Sequence, residues 1–193
     1  MDRNFSKRLT LITTSLVGLL ICATSFLSGQ GGPAQPRPKT DSPSIDLHAA
    51  KSIGSKSAPI TLEVFSDYQC PFCRAFYLDQ TQQVIKNYVD TGKVYLVFHD
   101  FPWDFHAHSM EAARLANAAA EIGKFKEVEG ALYTTQDSWE ASGKIEDALA
   151  PVLSAAQLKR VEALKSRPEI QSAIDEDIRL AKQRNLLETP SIY

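Results

Sequence analysis

The chain has 193 residues, of which 44% are hydrophobic and 23% are charged, a balance that suits one globular domain with additional segments. Its 21 basic and 23 acidic residues give a formal net charge of −2, so we expect no nucleic-acid partner. Three cysteines are too few for a scaffold held together by disulfides, and the fold must therefore rest on an ordinary hydrophobic core.

Residues 1–28 have the pattern of an export signal. Three basic residues, Arg3, Lys7 and Arg8, precede an apolar run over about residues 9–27. The run is also about long enough to be an uncleaved membrane anchor, although its threonines and serines weaken that alternative. Cys22 offers a lipoprotein as a third alternative, but Ile21 stands where a small residue is expected. We predict an exported protein, periplasmic or otherwise extracytoplasmic, with an N-terminal membrane tether as the alternative to cleavage.

Residues 29–50 are predicted to be a flexible linker because glycine and proline dominate their first half. Such a composition cannot bury apolar surface. The residues responsible are Gly29, Gly31, Gly32, Pro33, Pro36, Pro38 and Pro43. The domain itself is then expected over residues 51–193.

A strand and a helix flank a pair of cysteines. Apolar residues alternate with polar ones over residues 60–64, which is the period of a strand. Cys70 and Cys73 follow, and apolar residues at helical spacing then continue until Gly92, where a helix can end. Cys70 is therefore predicted at a helix N-terminus, where unpaired N–H groups and the helix dipole lower the pKa of a thiol.

The two-residue spacing brings the second sulfur beside the first after one helical turn. The pair can then close a Cys70–Cys73 disulfide, with Cys70 as the exposed attacking thiol and Cys73 as the buried resolving thiol. A zinc site that also uses His106 and His108 is a weaker alternative, because structural zinc sites usually take a second closely spaced pair. A purely structural disulfide is weaker too, because so short a loop constrains the unfolded chain little.

The rest of the chain supplies a second buried strand and a helical block. Residues 94–98 form a continuous apolar run, typical of a strand that lies parallel to the first and is buried on both faces. Residues 109–187 show helical stripes, with capping boxes at Ser154-x-x-Gln157 and Ser166-x-x-Glu169. The loop after the second strand could line a surface near the cysteine turn or pack against it, and we expect packing for Phe101, Trp103 and Phe105. A last strand begins at Ser191.

Three segments resemble the DsbA-like branch of the thioredoxin superfamily from about Ile53 onward. They are residues 65–73 (FSDYQCPFC), residues 100–102 (DFP), and Thr189-Pro190. The resemblance implies an α/β thioredoxin-like fold with a helical insertion at about residues 106–187. It also implies that Pro190 is cis beside the attacking sulfur and that the Thr189 backbone binds a substrate strand. The family's final β-hairpin and helix are absent from this chain, so an incomplete domain is expected.

Two residues bear on how the family's chemistry transfers to this chain. An acidic group often lies beneath the buried cysteine in this family and moves its proton, and Glu63 is the candidate here. The alternative for Glu63 is a charged residue on the open face of a strand. Phe72 departs from the Cys-Pro-His-Cys form of the strongest oxidants, because its ring cannot donate a hydrogen bond to a thiolate.

The resemblance predicts an enzyme, an exported thiol:disulfide oxidoreductase without cofactor or metal. Its partners would be unfolded or reduced exported proteins and a membrane redox partner that resets the dithiol. A disulfide oxidase is favoured because an exported chain works in an oxidising compartment. A reductase or isomerase of the same fold, or a tethered binding module without turnover, remain the alternatives.

Overall fold

The structure, a computed structural model, describes residues 45–193, and these form a mixed four-stranded sheet with helices around it. The strands are β1 (Ser52–Ile53), β2 (Ile60–Ser66), β3 (Val94–Asp100) and β4 (Ser191–Ile192), in the spatial order β1-β3-β2-β4. β2 and β3 run parallel, whereas β1 pairs antiparallel with β3 and β4 pairs antiparallel with β2. The predicted α/β thioredoxin-like fold is confirmed.

The central pair β2–β3 forms because both strands consist mainly of residues that favour a buried pleated surface. Val64 lies opposite Phe98 in the parallel register, and both are at most 5% exposed. The alternate residue Phe65, opposite His99, is fully buried on the other face. Burial on both faces is the property that predicted the parallel arrangement.

The helix after β2 begins with α2 (Pro71–Phe76) and ends near Gly92, as predicted. Pro71 occupies the first helical position, where its fixed φ and missing N–H cause no loss. Two π-helical turns, Tyr77–Thr81 and Ile85–Val89, flank the short α3 (Gln82–Val84). The sequence pattern did not predict these turns, because the apolar positions on either side of a π turn still read as one helical stripe.

Six helices form the predicted insertion and pack its apolar stripes into the main core. They are α4 (Ser109–Glu121), α5 (Phe125–Thr134), α6 (Gln136–Trp139), α7 (Ile145–Leu149), α8 (Ala155–Leu164) and α9 (Pro168–Gln183). The capping box of Ser154 and Gln157 is present at α8. The box predicted for Ser166 and Glu169 is wrong, because α9 begins one residue later, with Arg167 at the N-cap and no side-chain cap.

Two short elements that the sequence pattern did not predict lie before β2. Residues 47–50, which we predicted as the end of the flexible linker, form α1 (Leu47–Ala50); Asp46 caps this turn and Leu47 is buried. β1 then pairs with β3 through Ser52 and Ile53. One helical turn and a two-residue strand are too short to produce a periodic pattern, so only tertiary contacts define them.

The predictions for residues 1–44, namely the export signal, the anchor and the main part of the linker, lie outside the described residues. Between Ile45 and Tyr193, every helix is too short or too polar to cross a bilayer.

Candidate redox site

Cys70 is the N-cap residue of α2, as the sequence predicted. Its backbone is extended (φ −75°, ψ 123°), and its carbonyl accepts the N–H of Arg74 at 3.1 Å. Cys70 is 6% exposed and Cys73 is 1% exposed, so the expected order of accessibility holds, but Cys70 is far less exposed than expected. The neighbouring loops cover it and leave its sulfur at the wall of a groove.

The surroundings of Cys70 favour its thiolate. The Cys73 thiol donates a hydrogen bond to the Cys70 sulfur, and this lowers the pKa of Cys70 from an ordinary 9.0 to about 5. Burial opposes the shift, while the backbone N–H of Cys73, the Thr189 side chain and the backbone N–H of Phe72 add to it in that order. Hydrogen bonds to a charged acceptor are the strong ones, which is why they prevail over burial.

The surroundings of Cys73 favour its protonated thiol instead. Burial raises the pKa of the Cys73 thiol well above its ordinary value, and donation of its proton to Cys70 raises it further. The N–H of Asp67 donates to the Cys73 sulfur at 3.4 Å and offsets part of the rise in its pKa. The two thiols are thus unequal: one is poised as a thiolate beside a groove, and the other is a buried, protonated donor.

Asp67 organises the turn before the cysteines, a role that the sequence pattern did not predict. Its carboxylate is buried and accepts four hydrogen bonds, from the Gln69 N–H (2.7 Å), the Trp103 N–H (2.8 Å), His106 Nδ1 (2.8 Å) and the Ser109 hydroxyl. It therefore joins the cysteine turn to the loop after β3. The available signal was an Asp two residues before a turn amide, an arrangement that favours a local side-chain-to-backbone bond.

The Thr189–Pro190 segment lies beside Cys70. The Thr189–Pro190 peptide bond is cis, as predicted from the resemblance. The Thr189 carbonyl lies 3.5 Å from the Cys70 sulfur, which donates a hydrogen bond to it only in the protonated thiol form, and the Thr189 hydroxyl accepts a hydrogen bond from the Trp103 indole N–H at 3.0 Å. The structure thus brings Cys70, Cys73 and Thr189 together across more than one hundred residues of chain.

An open apolar groove of about 510 Å³ borders the Cys70 sulfur. Three of its lining residues are large, apolar and strongly exposed: Phe72 (73%), Phe105 (74%) and Leu187 (84%). We expected Phe105 to pack against the cysteine turn, and that prediction is wrong, because Phe105 lines the surface beside the turn instead. Phe101 is buried as expected, whereas Trp103 is only partly buried and lines the groove. Exposed apolar surface of this kind is typical of a binding site.

Glu63 lies elsewhere than its predicted role requires. Its carboxylate contacts His99 Nε2 at 3.0 Å and Arg184 at 2.7 Å. Alternation along β2 places Glu63 on the face of Phe65, which packs in a small second cluster, whereas Cys73 packs in the main core. Within residues 45–193, no hydrogen bond joins Glu63 to Cys73. The structure therefore does not bring Glu63 to the resolving thiol.

The metal-binding alternative finds no support in the placement of its ligands. His106 is bonded to Asp67, and in residues 45–193 neither it nor His108 forms a ligand cluster with the cysteines. A different group, His48, His99 and Asp177, places three potential ligand atoms within 4.8 Å of one another. The Lys51 ammonium lies 2.6 Å from Asp177, however, and would repel a cation there. Both ring nitrogens of His99 are already hydrogen-bonded to carboxylates.

Comparison with known proteins defines the class. Residues 48–193 match the sequence model of thioredoxin, and the chain belongs to this family. Disulfide bond formation protein D of Bacillus subtilis (strain 168) is 26% identical over 148 residues, which cover 73% of this chain and 65% of that protein. Na(+)/H(+) antiporter NhaA 1 of Mycobacterium sp. (strain KMS) is 29% identical over 189 residues, which cover 95% of this chain and 29% of the antiporter.

The fold is also similar to that of solved DsbA structures. The crystal structure of Wolbachia pipientis α-DsbA1 superposes with a TM-score of 0.61 and 22% identity, over 74% of this chain and 73% of that one. The predicted DsbA-like resemblance is therefore confirmed at the level of the fold. This chain spans less than two thirds of the length of the curated relatives described above.

Proposed function

We propose that this protein is an exported thiol:disulfide oxidoreductase that introduces disulfides into proteins folding outside the cytoplasm. The inequality of the two thiols is the observation that carries the proposal. Cys70 caps α2 at the wall of the groove, where hydrogen bonds lower its pKa from 9.0 to about 5 and favour the thiolate, whereas Cys73 is 1% exposed. Stabilising the thiolate stabilises the reduced protein, so the Cys70–Cys73 disulfide becomes a stronger oxidant.

The transfer follows from the positions of the sulfurs. A substrate thiolate attacks Cys70 of the oxidised protein, forms a substrate–Cys70 disulfide, and releases Cys73 as a thiolate that takes up a proton. A second substrate thiolate then attacks the substrate sulfur of this mixed disulfide, and Cys70 leaves as a thiolate. The substrate loses two electrons and gains a disulfide, while the protein gains the two electrons. The lowered pKa makes Cys70 the better leaving group.

The groove supplies the binding surface for such a substrate. Phe72, Phe105 and Leu187 would contact apolar side chains, which unfolded proteins expose and folded proteins bury. The Thr189 backbone next to Cys70 would bind the extended chain around the reacting cysteine, and Pro190 would hold that segment against the sulfur. The proposed substrate class is therefore reduced, unfolded polypeptide.

The setting of the reaction follows from the leader pattern of residues 1–28. An export signal or anchor there would place the domain in an oxidising compartment, where disulfides persist. After each transfer the dithiol must lose two electrons again. We propose that a membrane redox partner accepts them, with the N-terminal run as a tether if it is not cleaved.

Stoichiometric oxidation of a reduced, unfolded test protein examines this proposal. The oxidised chain, with no other oxidant present, should transfer up to one disulfide per molecule and become the dithiol. Cys70→Ser and Cys73→Ser should each abolish the transfer, because neither variant can form the Cys70–Cys73 disulfide that supplies the oxidising equivalents. If Cys70→Ser and Cys73→Ser leave the oxidation rate unchanged, the proposal is wrong and a binding module without turnover becomes the better account.

A further inference from the structure

His106 contributes an imidazole to the wall of the groove that borders Cys70. The two residues line the same open groove of about 510 Å³, although His106 comes from the loop between β3 and α4 and Cys70 from the start of α2. The side chain of His106 is 19% exposed, so part of its ring can contact a molecule in the groove. A substrate cysteine that reaches Cys70 through this groove therefore comes close to an imidazole.

Asp67 fixes the orientation of the His106 ring. The Asp67 carboxylate is buried and lies 2.8 Å from His106 Nδ1. An ionised carboxylate only accepts hydrogen bonds, so Nδ1 carries the proton, and the lone pair of the neutral ring lies on Nε2. The N–H groups of Gln69 and Trp103 donate to the same carboxylate at 2.7 and 2.8 Å and hold it in place.

The second ring nitrogen of His106 is available to a substrate. Within residues 45–193, Nε2 forms no hydrogen bond, and it is not one of the enclosed polar atoms that lack a partner. It is therefore open to solvent. His106 thus has one nitrogen bound to a buried carboxylate and a second, basic nitrogen that can accept a proton from outside the protein.

The charges around the groove are opposite to that of an imidazolium. The other ionisable side chains that line the groove are Cys70 and Glu188. In the oxidised protein Cys70 is part of the disulfide and carries no charge, so Asp67 and Glu188 supply the charged groups, both carboxylates. The loop of the imidazole also contains Asp104 and His108, and neither lines the groove.

We propose that His106 is a catalytic residue whose Nε2 takes the proton of the incoming substrate thiol. The inference rests on the proposed function, because it concerns the thiol that attacks Cys70. The S–H bond of the substrate breaks and an N–H bond forms at Nε2, which leaves a thiolate beside an imidazolium. The thiolate then forms a bond to the Cys70 sulfur while the Cys70–Cys73 bond breaks, and that electron pair leaves on Cys73. The imidazolium returns its proton to solvent.

The advantage of such a base depends on pH. A free cysteine thiol has a pKa of about 8.5, so only about 3% of it is the reactive thiolate at pH 7. A base in the groove can therefore raise the rate of attack by up to about thirtyfold at pH 7. At about pH 9.5 most of the substrate is already a thiolate, and the base gives no further advantage.

His106→Asn tests the proposal on the full, oxidised chain. Asparagine keeps an N–H donor near the position of Nδ1 for the bond to Asp67, but it cannot take up a proton. The probe is a short unfolded peptide with two cysteines, and the measurement is the rate at which it reduces the Cys70–Cys73 disulfide. The variant should react about tenfold more slowly than the wild-type chain at pH 7, and at the same rate at about pH 9.5.

The matched control is His108→Asn. This change removes an imidazole from the same loop but not from the groove, and the rate should equal that of the wild-type chain at both pH values. A structural defect in His106→Asn would slow the reaction at every pH. An equal loss at pH 7 and about pH 9.5, or no loss at pH 7, would overturn the inference.

The wild-type chain provides a second test if His106→Asn does not fold. Between pH 7 and pH 8 the thiolate fraction of the free peptide rises about eightfold. The wild-type rate should rise less than about threefold over this interval, because the intact thiol and the neutral imidazole react there together. A rate that rises in proportion to the thiolate fraction would overturn the role of His106.

Failure of this inference is distinguishable from failure of the proposed function. If the wild-type chain transfers no disulfide to a reduced, unfolded protein, the proposed function is wrong. If it transfers the disulfide but its rate follows the thiolate fraction of the substrate, only the role of His106 is wrong.

Discussion

Replacing Cys73 with alanine should raise the pKa of Cys70, because the Cys73 thiol is the strongest stabiliser of the Cys70 thiolate. A hydrogen bond to a charged group contributes about 1.5–3 kcal/mol, and about 1.4 kcal/mol corresponds to one pKa unit. The change should therefore raise the pKa of Cys70 from about 5 to roughly 6–7. The remaining stabilisation would come from the backbone N–H groups of α2 and the Thr189 side chain.

The pH dependence of iodoacetamide alkylation measures this pKa directly, because only the thiolate reacts. Cys73→Ser is the matched control: its hydroxyl can still donate to Cys70, so the pKa should stay closer to that of the wild-type protein. If the pKa of Cys70 remains near 5 in Cys73→Ala, the Cys73 thiol is not its main stabiliser. The helix N-terminus would then have to supply the effect.

Three further predictions concern pH, the buried ion pairs and Glu63. The lowered pKa of Cys70 stabilises the folded reduced form fully above pH 9, and this stabilisation is lost as the pH falls toward 5. Relative to the oxidised form, the reduced form should therefore lose about 2 kcal/mol of unfolding free energy between pH 7 and pH 5. An equal change in both forms would show that the Cys70 thiolate does not stabilise the folded protein. Lys51→Met should lower the free energy of unfolding in urea by about 3–5 kcal/mol, because two buried carboxylates lose their partner. The control Lys56→Met, at an exposed ion pair, should lower it by at most about 1 kcal/mol. Equal losses in the two variants would refute the importance of the buried pairs. Glu63→Gln should lower stability without slowing the reduction of the disulfide by a dithiol; a tenfold slower reduction would show that Glu63 does move the proton of Cys73.

The fold was largely predictable because its central elements are long and periodic. Residues 60–64 alternate, residues 94–98 are continuously apolar, and the insertion carries helical stripes. Each pattern follows directly from which faces become buried. Cys70 at a helix N-terminus was predictable for the same reason, since the strand and the helix around it bracket the turn.

The residues that hold the two cysteines and Thr189 in place were not predictable, because their contacts join segments that are far apart in the sequence. Asp67 bonds to residues about forty positions away, and Trp103 bonds to Thr189, 86 positions away. A lone aspartate or tryptophan in a loop carries no periodic signal for such a partner. The same holds for Glu63: the motif gave its position relative to Cys70, but the strand register sent its side chain to the other face of the sheet.

The equilibrium of the Cys70–Cys73 disulfide with glutathione tests the central claim most directly, because it measures how strongly the protein oxidises. Quantifying the two redox forms of the full chain across a series of glutathione ratios gives the reduction potential. A protein whose reduced form is stabilised by a Cys70 thiolate should lie between about −120 and −180 mV, the range of DsbA and protein disulfide isomerase. A potential near about −270 mV, that of thioredoxin, would contradict the oxidase and identify a reductase.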